Sequence, residues 1–109
     1  MNNKDLRIRF LKYVEKKWEQ NNHNLDDIPC IYVIAAYVFN LNGTFLRDIE
    51  YVGSTTKLKS RYKSHKIPMK IQESGKVNLL YYKPMDKGFY DYEMKLIKKL
   101  QPKYNRQHK

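Results

Sequence analysis

Three groups of side chains in this sequence have the types and spacing to do chemistry. Along Phe89 to Leu100, Phe89, Glu93, Leu96, Ile97 and Leu100 fall on one helical face, so a carboxylate stands in an otherwise apolar stripe. Burying Glu93 unpaired would cost several kcal/mol, which a nearby arginine, a hydrogen-bond network or a metal ion would have to offset. Spacing alone favours the blander arrangement, a helix-edge glutamate that reaches solvent. Arg61 and His65 lie four residues apart in the segment Thr56 to Lys66 and project from one helical face beside Leu58 and Tyr62. Arginine holds phosphate through planar donors, and histidine exchanges a proton near neutral pH. The alternative is a solvated basic face, which suits Lys57, Lys59, Lys63 and Lys66, there supplying sequence-independent attraction for phosphates. Tyr32 and Tyr51 form the third group, and their relation depends on hairpin register. A four-residue loop, Asn40 to Gly43, sets Tyr32 opposite Tyr51, and a two-residue Asn42-Gly43 turn leaves them diagonal on one face; a three-residue loop separates them onto opposite faces. Tyr13, Tyr37, Tyr81 and Tyr92 are expected to pack or lie at the surface.

The elements that must position these groups follow from periodicity. Leu6, Phe10, Tyr13, Val14 and Trp18 recur at helical spacing over residues 4–19, with Arg7, Arg9, Lys12, Lys16 and Lys17 mostly on the other side. The polar run Gln20 to Asn24 reads as a loop. Ile31 to Phe39 is β-branched and aromatic, as suits a central strand, and Asn40-Leu41-Asn42-Gly43 is a hairpin turn with Thr44 to Val52 returning. Gly53-Ser54 then closes that strand, and Thr55 or Thr56 caps a helix to Lys66 that Pro68 stops. Val77 to Lys83 reads as a third strand, Pro84 to Gly88 as a turn, and Phe89 to Leu100 as a helix ended by Gln101-Pro102. The predicted fold class is α+β, with a small three-stranded, mainly antiparallel sheet flanked by helices and an extra N-terminal helix. Residues 1–27 form that helix and a loop, and residues 28–109 the main domain.

Composition narrows the partners. The chain has 109 residues, with 22 Lys and Arg against 11 Asp and Glu, for a net charge of +11. Residues 1–20 carry +3, residues 21–53 carry −3 and residues 54–109 carry +11. Such clustering favours a polyanion, either nucleic acid or an anionic membrane surface. No apolar run is long enough to span a membrane, and the opening Met1-Asn2-Asn3-Lys4-Asp5 lacks the apolar core of a secretory signal. A soluble, cytoplasmic protein is expected. Cys30 is the one cysteine, and His23, His65 and His108 are scattered, so neither an internal disulfide nor a zinc cluster is expected. Cys30 suits a small buried hydrophobe.

Taken in order, Cys30-Ile31-Tyr32, Tyr51-Val52-Gly53, Arg61, His65, Glu93 and Pro102-Lys103-Tyr104-Asn105 resemble the GIY-YIG nuclease family. The resemblance covers about residues 28 to 105. Cys30 replaces the usual glycine of the first tripeptide and Val52 the isoleucine of the second, while both tyrosines remain. Members of that family have a three-stranded antiparallel sheet flanked by helices.

The resemblance implies a metal-dependent DNA endonuclease that hydrolyses phosphodiester bonds. By it, Glu93 binds one divalent ion, Mg²⁺ (or Mn²⁺), Arg61 contacts the scissile phosphate and Tyr32 acts as general base. Tyr51 and His65 join the same hydrogen-bond network, and Asn105 helps fix the site. A phenol is mostly protonated at pH 7, so nearby Arg61, the ion or a hydrogen bond is expected to lower the Tyr32 pKa. Gly53 either allows close backbone approach or turns with positive φ, setting the next helix start near a phosphate. With Lys57, Lys59 and Lys63 it forms the expected substrate-binding set. Because the family core fills most of the chain, the implied type is a stand-alone phage, mobile-element or restriction nuclease. A homodimer would suit double-strand cleavage, since one site cuts one strand. The alternative is a non-catalytic nucleic-acid-binding module that retains the fold.

Overall fold

The computed structural model describes residues 1–20, 25–43 and 45–106. Its elements are α1 (Asn3–Lys17), β1 (Glu19–Gln20), β2 (Cys30–Phe39), β3 (Phe45–Thr55), α2 (Leu58–Lys63), α3 (Ile67–Glu73), β4 (Val77–Pro84) and α4 (Phe89–Leu100). The loop read over residues 21–24 and the strand start at Thr44 lie outside the described residues. All strand pairs are antiparallel, in the order β1-β4-β2-β3.

The apolar run of β2 is central because it is buried on both faces. Ile31, Val33, Ala35 and Tyr37 meet Leu11, Val14 and Trp18 at α1 and Leu96, Ile97 and Leu100 on α4. Cys30, Tyr32, Ile34 and Ala36 face the other way, toward Leu58 of α2 and Ile67 and Ile71 of α3. Two cores therefore share one strand, and each fully buried aliphatic side chain contributes about 1.5–3 kcal/mol. Burial holds the Cys30 thiol up at about 12, so it behaves as a small hydrophobe. Residues 1–20 belong to this structure: α1 buries Leu11 and Val14, and β1 pairs with β4 through Glu19 opposite Tyr82.

Four expectations require correction. The sheet has four strands, because the chain leaving α1 at Trp18 is extended and adds the two-residue β1 to the edge of β4. The basic segment is two helices, since Pro68 lies in the first turn of α3, where its missing N–H costs nothing. Neither threonine caps α2: its N-cap is Lys57, whose N–H donates to Thr55 Oγ1 at 3.0 Å. Finally, β3 continues to Thr55, so Gly53 and Ser54 pair with Tyr32 and Ile31 within the sheet.

The hairpin register differs from each simple loop count. Phe39 pairs with Phe45 and Ala35 with Ile49, but Ile34 pairs with Tyr51. Glu50 is thus the extra residue of a β-bulge. Without it, the register at the turn would carry through and place Val52 opposite Tyr32, sending Tyr51 to the other face. The bulge shifts the pairing by one, so Tyr32 faces Gly53 and Tyr51 lies diagonally, on the same side.

Candidate active site

Tyr32 projects from β2 and crosses toward β3, where only a glycine leaves room for its ring. A Cβ on Gly53 would come within 2.5 Å of both Tyr32 Cζ and Oη and 2.9 Å of Tyr51 Cε2. Gly53 is required for this close approach; its backbone is not left-handed. The rings of Tyr32 and Tyr51 lie 6.2 Å apart, and His65 stands edge-on to both, 5.8 and 4.7 Å away.

His65 lies just beyond α2, in the turn before α3, so the turn and not helical spacing brings it to the tyrosines. The Ile67 N–H donates to His65 Nδ1 at 3.2 Å. A nitrogen that accepts carries no proton, so the neutral ring bears its hydrogen on Nε2. Nε2 sits 3.1 Å from Tyr32 Oη and therefore donates to it. Burial, aided by the Arg61 charge, pushes the His65 pKa down to about 4, which keeps the ring neutral.

Arg61, in the last turn of α2, brings its charge to bear on the same phenol. Tyr32 thus receives the His65 N–H beside the Arg61 charge, and no described residue accepts its own proton. Contrary to the sequence expectation, the Tyr32 pKa is raised: burial and the neighbouring Tyr51 outweigh Arg61, and the Glu93 charge adds to the rise. Tyr32 is only 1% exposed. Arg61 is exposed and lines the adjacent groove.

Glu93 approaches from the opposite face of the sheet. The expectation of a solvent-reaching helix edge is overturned, because Glu93 is 6% exposed among Leu96, Ile97 and Leu100 on α4. Ser54 Oγ donates to its carboxylate. Among the described residues Glu93 makes no ion pair, and no three His, Cys, Asp or Glu side chains form a metal-holding cluster. A buried carboxylate held only by a hydroxyl fits a hard cation that takes most of its ligands from water and phosphate oxygens. Because Tyr32 crosses to Gly53 and Glu93 reaches Ser54, both sides of the site meet at consecutive residues of β3.

Asn105 closes the free edge of β3. Its Nδ2 donates to the Val52 carbonyl at 2.8 Å and its Oδ1 accepts the Val52 N–H at 2.9 Å, a side-chain imitation of strand pairing. Tyr104 N–H donates to the Glu50 carbonyl at 3.0 Å along the same edge.

A groove of about 400 Å³ opens beside the tyrosines, lined by Tyr51, Arg61, His65, Lys66, Lys70 and Arg106 among others. Lys57, Lys59 and Lys63 are exposed on or beside α2 but do not line it; the first two lie near Asp27, whose carboxylate accepts from Ser60. Lys70 and Arg106 were missed in the sequence. The signal for Lys70 was its four-residue spacing from Lys66, hidden while Pro68 was read as a helix stop. No family model matches the chain, and no curated protein or solved structure does. No helix among the described residues is long and apolar enough to cross a membrane.

Proposed function

We propose that this chain is a metal-dependent phosphodiesterase. Its particular form, on the pattern of the GIY-YIG nucleases it resembles, is a DNA endonuclease with Tyr32 as general base. The observation that carries this reading is the Tyr32 hydroxyl: His65 Nε2 donates to its oxygen, the Arg61 charge acts on it, and no described residue takes its proton. A donor and a cation so placed favour a phenolate, the form that can accept a proton from an attacking water. Arg61 is exposed and lines the groove, where its guanidinium would hold a phosphate and align the substrate. Neutral His65 keeps its N–H on the phenolate while Tyr51 borders the groove beside it. Glu93 would hold Mg²⁺ or Mn²⁺, which when bound supplies positive charge for the phosphate oxygens and the leaving group. Lys66, Lys70 and Arg106 would attract the backbone.

Supercoiled plasmid nicking with Mg²⁺ or EDTA tests this. The unmodified protein should nick only with Mg²⁺, and Glu93→Ala and Arg61→Ala should each lose about a thousandfold or more at matched DNA binding. Equal cleavage by all three would sink the assignment. The second reading, a non-catalytic nucleic-acid-binding module, is favoured by the raised Tyr32 pKa, since a protonated phenol is no base. Salt-sensitive binding with no cleavage by any of the three would select it.

A further inference from the structure

A second groove, nearer the hairpin tip, lies at the β3 side of the sheet between α1 and the face that carries Tyr32. It measures about 440 Å³, with Ile8, Ala36, Val38 and Leu46 among its apolar lining and Lys4 and Arg47 among its charged lining. Ala36 and Tyr32 belong to one buried cluster, so the Ala36 wall of the groove and the tyrosines share a side of β2. A space of this size with mostly apolar walls suits a small planar group.

Among the charged groups that line the groove, none of which the proposed mechanism uses, one is buried. Glu50, the residue the bulge adds to β3, lines it and is 4% exposed. Bulges re-aim side chains and gather beside functional sites. Glu50 Oε2 accepts from Lys76 Nζ at 2.8 Å, whereas the buried Oε1 has no hydrogen-bond partner among the described residues. An orphaned buried acceptor calls for a donor. Lys76 already balances the carboxylate charge, so a neutral N–H suits Oε1 better than a second cation. Asp48, which also lines the groove, is engaged by Arg7 at 2.7 Å. Exposed Lys4 and the net charge of +11 favour a ligand on an anionic tether.

We propose that this groove receives a nucleobase bearing an exocyclic amine, of which cytosine is the test case, with the amine donating to Glu50 Oε1. Carboxylates accept from the cytosine amine in the same way where proteins read bases. The base would belong to the strand engaged at the tyrosine site, so the inference rests on the nucleic-acid reading above but not on cleavage.

Fluorescence anisotropy in EDTA with short labelled oligodeoxycytidylate and oligothymidylate separates the two questions. The cytosine strand should bind about tenfold more tightly. In Glu50→Gln the amide must turn its oxygen to Lys76 and its N–H₂ into the groove, so the ratio should fall to about one or invert. Leu46→Trp, at an exposed wall position, should also bring the ratio to about one by filling the groove while leaving the Glu50–Lys76 pair intact. Equal affinity of the unmodified protein for both strands, or an unchanged ratio in both variants, would overturn the proposal. A cytosine preference without plasmid cleavage keeps the groove and removes the nuclease; cleavage without preference does the reverse.

Discussion

Two tyrosine clusters sit on opposite faces of the same sheet, built from nearly the same kinds of residue. On the α1 side Tyr37 Oη donates to Glu15 at 2.7 Å and lies 2.7 Å from Tyr81 Oη, and Arg47 pairs with Glu15 at 3.2 Å. Tyr37 has one proton and gives it to the carboxylate, so Tyr81 must be the donor of the second bond. That network is closed: an arginine balances the carboxylate, which accepts the phenol's proton. Around Tyr32 the pieces are the same but the connections differ. His65 donates to the phenol and Arg61 acts on it through its charge, while the carboxylate, Glu93, is tied to Ser54 and lacks an ion-pair partner among the described residues. The lesson is that residue type does not distinguish a structural cluster from a reactive one. The direction of the donors does.

The sharpest way to break this comparison is to remove one hydroxyl from each face. Tyr32→Phe should lower plasmid cleavage by about 10²–10⁴-fold. Tyr37→Phe should leave the rate within about twofold and instead cost about 1–3 kcal/mol of stability, because Glu15 loses a half-buried donor. Equal losses of activity in the two variants would mean that donor direction carries no functional information.

A somewhat smaller effect should follow from Gly53→Ala. Its Cβ would press on Tyr32 and shift the ring, and displacements near 1 Å cost about a hundredfold in rate. DNA binding at low salt should hardly change, since the groove cations remain. Near-normal cleavage would show that Tyr32 need not lie over Gly53 to work.

The smallest effect is a pH dependence confined to the Tyr32 face. The His65 pKa is about 4 in the folded chain, against an ordinary value near ~6.5. Between these values the unfolded chain binds the extra proton, so stability should be full above pH ~6.5 and fall as the pH drops toward 4. Urea midpoints at several pH values should show this slope, and His65→Gln should flatten it. An unchanged slope would contradict the neutral, Nε2-protonated ring.

Legibility in the sequence tracked how local each signal was. The bounds of α4, Phe89–Leu100, were readable because apolar spacing, Gly88 and Pro102 agree over one continuous stretch. The β2 strand was readable for a similar reason: a doubly buried strand must be apolar throughout. By contrast β1 is two polar residues whose strand character exists only through pairing with Tyr81 and Tyr82. Pro68 was ambiguous because one residue type can end a helix or begin one.

The candidate site divides along the same line. By itself the sequence determined the inventory of tyrosines, cations and one carboxylate, and it placed Glu93 in an apolar stripe, since these depend only on residue identity and helical period. Tertiary structure alone decided that Tyr51 shares a face with Tyr32, because one bulged residue, Glu50, shifts a strand register that local propensity leaves open. It also decided that Glu93 is buried and that His65 donates its proton. Burial is a property of what packs over a residue, and the Ile67 amide that fixes the His65 tautomer reaches the ring only when the turn folds.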